Sequence, residues 1–330
     1  MQVWRRIQRQ NFNSWEKLAH FLQLDPSHFP EILKTSHFPL NLPLRLAQKI
    51  QKNHWEDPIL RQFLPLQKEL QDTVGFIKDP VGDVPARKAG KLLHKYQGRA
   101  LLLCTSSCAM NCRFCFRQNF EYETEDKSFD EELELIAHDP SLTEIVLSGG
   151  DPLSLSNATL DHLIKKLSRI PHLKRLRFHT RFPMGIPERI DEGFLELLSS
   201  TRLQVFFVVH INHAAELDVD VASALKQILR LGIPVLSQTV LLRGVNDQVA
   251  ILKELFENLV DHGIIPYYLH QTDRVRGAAH FEVPEAEGRA LLAEVSQQLS
   301  GYAIPKYVRE EAGMPSKTTL HYDKNKCTDF

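Results

Sequence analysis

Three of the chain's five cysteines, Cys108, Cys112 and Cys115, fall within the eight residues Cys108-Ala-Met-Asn-Cys112-Arg-Phe-Cys115. Thiolates spaced four and three residues apart can converge on one small object if they lie on a loop. A structural zinc ion would want a fourth protein ligand. The nearest candidates are Cys104 and His94, and no paired Cys-x-x-Cys stands elsewhere. An iron–sulfur cubane is also held by thiolates, and three of them leave one iron open to a non-protein ligand. The pattern favours the cluster, while zinc and an unrelated group of thiols stay open on these residues alone. The setting bears on the choice. The start Met1-Gln-Val-Trp-Arg-Arg6 lacks the apolar core of a signal peptide, and no apolar run approaches the ~20 residues that cross a bilayer. The expectation is a cytoplasmic protein without a membrane partner, in which clustered thiols bind metal or catalyse rather than pair as disulfides. A formal net charge of -1 gives no ground for expecting a nucleic-acid partner.

A second group, Ser148-Gly149-Gly150-Asp151-Pro152, follows a strand-like run. Alone it reads as a tight turn. Its place at the C-terminal end of a strand is where barrel enzymes build their sites. The elements that must position both groups alternate along the chain. Strand-like runs cover 100–105, 144–148, 175–180, 203–211, 235–242 and 264–270. Between them Leu160, Leu163, Ile164 and Leu167 recur at helical spacing, as do Val221, Leu225, Ile228 and Leu229, and then Ile251, Leu252, Leu255, Phe256 and Leu259. Gly232 and Gly263 follow as stop signals. Strand–helix alternation at ~30-residue spacing predicts parallel strands with crossover helices. The fold expected is α/β, a partial (β/α)6 TIM-like barrel over 96–300. Residues 1–95 read as a helical N-terminal region, punctuated by Pro26, Pro30, Pro39 and Pro43, with packing as its role and no chemistry of its own. A short segment over 301–330 opens with a strand-like run at 302–308.

The Cys-x3-Cys-x2-Cys spacing after the first barrel strand resembles the radical S-adenosylmethionine superfamily, in which an aromatic residue, here Phe114, precedes the last cysteine. That resemblance implies a 4Fe–4S cluster on Cys108, Cys112 and Cys115. It also implies S-adenosylmethionine bound against Ser148, Gly149, Gly150 and Asp151. The resemblance narrows further. Cys112-Arg-Phe-Cys115-Phe-Arg117, His94-Lys-Tyr96-Gln-Gly-Arg99, the run 238–247, Pro266-Tyr267-Tyr268 and Gln271-Thr-Asp273 are similar to lysine 2,3-aminomutases. The similarity covers about 80–320.

This family implies pyridoxal 5'-phosphate as a second cofactor, held as a Schiff base. Lys317 takes that role, with Lys306 as rival, although Met314, Pro315 and Ser316 replace glycines of the family's loop. Arg99 is implied as the cofactor-phosphate ligand and Arg117 as the ligand of the substrate carboxylate. Asp273 and Glu310 are implied at the distal ammonium of lysine. Glu310 stands for an aspartate, and Glu311 is an alternative. His270 is expected near the pyridoxal ring. The implied reaction turns L-α-lysine into (R)-β-lysine by moving nitrogen from C2 to C3. An electron donor such as flavodoxin or ferredoxin would feed it.

Longer relatives in this family carry a zinc site built from C-terminal cysteines. Here Cys327 is the one cysteine beyond Lys317, and Gln248 stands where those relatives have another zinc cysteine, so no such site is expected. The chain's end resembles the short bacterial form that makes β-lysine for attachment to elongation factor P by a partner ligase. The alternatives are a free-lysine aminomutase of catabolism or biosynthesis, or a radical aminomutase for another amino acid. An acidic substrate would ask for cations where Asp273 and Glu310 stand.

Overall fold

The computed structural model describes residues 2–123 and 128–322. Cys327 lies outside the described residues. Among the described residues, ten strands form one sheet in chain order. They are β1 (Arg87–Ala89), β2 (Leu92–Tyr96), β3 (Arg99–Leu103), β4 (Glu144–Ser148), β5 (Arg175–Thr180), β6 (Gln204–His210), β7 (Val235–Val240), β8 (Ile265–His270), β9 (Lys306–Arg309) and β10 (Thr318–Thr319). Strands β3 to β9 run parallel. Antiparallel β1–β2 extends one edge and β10 the other, so the sheet is an open, partial barrel.

Helices Asp130–His138, Asn157–Ser168, Glu192–Ser200, Val219–Arg230, Val249–Asp261 and Glu285–Gln298 connect the parallel strands. The stripe Leu160, Leu163, Ile164 and Leu167 is buried, as the helical period requires. Gly232 and Gly263 follow their helices at φ of 73° and 78°, a left-handed conformation that glycine adopts without a Cβ clash. All six expected strands are present. Two features differ from the sequence reading. The strand-like run at 302–308 supplies β9, which joins β8 as a seventh parallel strand, so the barrel sheet continues past residue 300. The end of the N-terminal region forms the β1–β2 hairpin, whose short strands carry too few residues for a clear period-two pattern.

Along β5, Leu176, Phe178 and Thr180 are buried while Arg177 and His179 line a central cavity. The barrel therefore encloses space that a packed barrel would fill with apolar side chains. Among the described residues no helix is long and apolar enough to cross a membrane.

Candidate active site

The cysteines lie on the loop that leaves β3. Its backbone is clamped by the N-terminal region. Asn11 Nδ2 donates to the Ala109 carbonyl at 2.7 Å, and Gln8 Nε2 to the Cys108 carbonyl at 3.3 Å. Between the second and third cysteines, Arg113 is fully buried and donates from Nε to Glu69 Oε1 at 2.9 Å. A buried arginine needs such a partner, and this one pins the loop to the residues before it. The N-terminal region thus does more than pack.

The glycine motif braces the same loop from the other side. Gly150 N donates to Thr105 O at 2.6 Å and Asp151 N to Ser107 O at 2.9 Å. A Cβ on Gly149 would lie 2.6 Å from Thr105 O, and one on Gly150 would strike the Ser106 and Ser107 backbone. Gly149 also sits at a φ of 117°. Gly150→Ala is therefore expected to cost about 1–3 kcal/mol, the scale of overpacking, read as a lower melting temperature; an unchanged melting temperature would contradict this packing. Asp151 is buried, and its carboxylate accepts from Thr180 Oγ1, Arg181 N, Phe182 N and Leu153 N at 2.8–3.0 Å. Burial nevertheless pushes its pKa up to about 6. It ties the end of β4 to the end of β5.

Burial also raises the three thiols, Cys108 strongly and Cys115 to about 11. Burial prevails even at Cys112, where the Arg181 guanidinium pulls the other way, and the positive irons of a cluster would favour all three thiolates. Among the described residues no group of three or more His, Cys, Asp or Glu side chains is placed to hold a single metal ion. Thiolates that bind separate corners of a cubane need not meet at one point. His94 faces Asp139 at 3.8 Å, and Cys104 is buried with its thiol raised to about 12 by that burial. The donor set fits a cluster.

The three cysteines line a cavity of about 560 Å³ together with Ser148, Gly149, Gly150, Asp151, Arg99, Arg117, Asp273, Glu310 and Lys317. Every expected site residue thus reaches one space, within the size range of small-molecule pockets (about 300–1,000 Å³). Arg117 is buried and donates from Nε to Asp83 Oδ2 at 2.6 Å and from Nη1 to Ser148 Oγ at 3.2 Å. Lys95 reaches Asp83 Oδ1 at 2.6 Å. Arg99 packs over the Tyr96 ring at 4.5 Å.

Beyond β9, Lys317 Nζ bonds Glu310 Oε2, whose Oε1 accepts from Tyr96 Oη at 2.6 Å. Burial opposes the charge of Glu310, but Lys317, Tyr96 and Lys95 hold its pKa below the usual value. Glu311 instead pairs with Arg309 at 2.9 Å and does not line the cavity. Burial lifts Asp273 to about 7, against the pull of Lys317. His179, His210 and His270 are pushed down by burial, His210 to about 3, so the cavity wall carries neutral imidazoles at neutral pH.

Sequence reasoning missed Asp83 and Lys95, and also Arg181, which lines the same cavity, and Glu216, which accepts from Arg181 Nη2 at 2.8 Å. Lys95 stood inside a run already noted, between His94 and Arg99. Asp83 and Glu216 had no pattern around them.

Residues 102–255 match the Radical SAM superfamily. The chain is 44% identical over 286 residues to an L-lysine 2,3-aminomutase of Escherichia coli (strain K12), covering 86% of this chain and 83% of that one. It is 40% identical over 321 residues to one of Haemophilus influenzae, covering 96% and 95%. The crystal structure of a radical SAM methyltransferase from Sphaerobacter thermophilus aligns at a TM-score of 0.47 and 19% identity, over 66% of this chain and 68% of that one. On the sequence matches, the chain belongs to the lysine 2,3-aminomutase family of radical S-adenosylmethionine isomerases, a family that implies a 4Fe–4S cluster and S-adenosylmethionine.

Proposed function

We propose that this enzyme converts L-α-lysine to (R)-β-lysine. Cys108, Cys112 and Cys115 would hold the cluster, and Ser148 to Asp151 would flank S-adenosylmethionine. Lys317 would hold pyridoxal 5'-phosphate, with Arg99 toward its phosphate. The observation that carries the reading is one cavity that brings Cys108, Cys112 and Cys115 together with Lys317 and the carboxylates of Asp273 and Glu310. When bound, these groups supply a carbon-centred radical and a carbonyl that makes nitrogen migration accessible.

The chain's own residues bind and orient. Arg117 presents a guanidinium fixed by Asp83 and Ser148, suited to a substrate carboxylate. Glu310 and Asp273 offset the cost of desolvating a distal ammonium. Glu310→Gln leaves that ammonium without one buried partner, so kcat/KM for lysine is expected to fall about 10²-fold. Steady-state assays that found an unchanged kcat/KM would remove Glu310 from the site.

Asp273 adds a pH dependence. With a pKa of about 7, its carboxyl is largely protonated below that pH. An ammonium prefers the ionised form. The kcat/KM for lysine is expected to rise as pH increases through about 7, and Asp273→Asn to flatten that limb. A limb that survives the substitution would assign it elsewhere.

A flavodoxin or ferredoxin would supply the electron. The product would pass to a ligase that modifies elongation factor P, a destination that rests on the family resemblance alone. Turnover with lysine but not glutamate or arginine tests the substrate. Labelled β-lysine that never reached elongation factor P in cells would overturn the product's destination.

A further inference from the structure

Arg181 lies outside every role given so far. It follows β5 and donates from Nη1 to Cys112 Sγ at 2.9 Å. Its Nη2 donates to Gln62 Oε1 at 2.6 Å and to Glu216 Oε2 at 2.8 Å. Glu216 is fully buried, and its Oε1 accepts from the backbone N–H groups of Asn212 and His213 at 3.1 Å each. Arg181 itself is 6% exposed. Its guanidinium lies over the rings of Phe63 at 5.0 Å and Phe114 at 5.5 Å, and its backbone N–H is held by Asp151 at 2.8 Å. Three segments far apart in sequence therefore fix one cation against one sulfur.

We propose that Arg181 is a positioning residue that sets the reduction potential of the cluster through Cys112, with Glu216 and Gln62 holding it in place. The inference rests on reading Cys112 as a cluster ligand. Reduction adds one electron from an external low-potential donor and breaks no bond, so the cluster gains one negative charge. A buried cation bonded to a ligand sulfur favours that more negative state. The sulfur is bonded to the cation directly, whereas Glu216 bonds the other terminal nitrogen. Arg181 therefore raises the potential, and its removal makes reduction harder.

The test uses the full chain, reconstituted anaerobically with iron and sulfide. The midpoint potential of the cluster is read by paramagnetic resonance during a redox titration, with iron content measured alongside. Arg181→Gln is expected to shift the midpoint to more negative values. Arg181→Lys keeps the charge but loses the fork, and is expected between the two. Equal midpoints at equal iron content would overturn the inference while leaving the cluster reading intact. If Arg181→Gln holds no iron, Arg181→Lys carries the test, and a wild-type midpoint there overturns the inference. A wild-type chain that bound no iron would overturn the cluster reading itself, and the inference with it.

Discussion

Lys317→Ala is expected to abolish attachment of pyridoxal 5'-phosphate and to lower turnover by roughly 10³-fold or more, the scale seen when a covalent-catalysis residue is removed. Lys317 bonds Glu310, and its charge acts on Asp273, His179 and His270 around the cavity. It is therefore central to the space. The rival Lys306 opens β9 and also borders the cavity, but it is exposed, so Lys306→Ala is expected to keep the cofactor's visible absorbance. A spectrum retained in Lys317→Ala and lost in Lys306→Ala would reverse the assignment.

Cys112→Ser is expected to strip the cluster and reduce activity to background. A serine hydroxyl is a far weaker ligand for cluster iron than a thiolate, and Cys104 offers no spare sulfur, since it is buried in the strand-end packing with its thiol against the Leu102 carbonyl. Cys104→Ser is the control and is expected to keep its iron. Iron analysis and the brown absorbance distinguish the two. Full iron in Cys112→Ser, or its loss in Cys104→Ser, would contradict the ligand set.

The parallel strands and their helices were legible because apolar periodicity reports burial directly. The cysteine loop was legible because ligand spacing is local. What remained hidden was long-range pairing. Arg113 stands between two of the cysteines, and its partner Glu69 lies 44 residues earlier. Asp83 and Arg117 meet across 34 residues, and Arg181 and Glu216 across 35. Such pairs leave no period and no motif. The choice between Glu310 and Glu311 was equally closed to sequence, because only the direction of each side chain at the end of β9 separates the residue that lines the cavity from the one that pairs with Arg309. Asp151 stood in a recognisable motif, but its hydrogen bonds to the β5 end became visible only in the fold.

The most direct test of the lysine reading is turnover by protein reconstituted anaerobically with iron, sulfide and pyridoxal 5'-phosphate. Given L-lysine, S-adenosylmethionine and a strong reductant, it should form β-lysine, and omitting any one of the three should stop the reaction. Protein fully loaded with iron and pyridoxal phosphate that left L-lysine unchanged under those conditions would contradict the account.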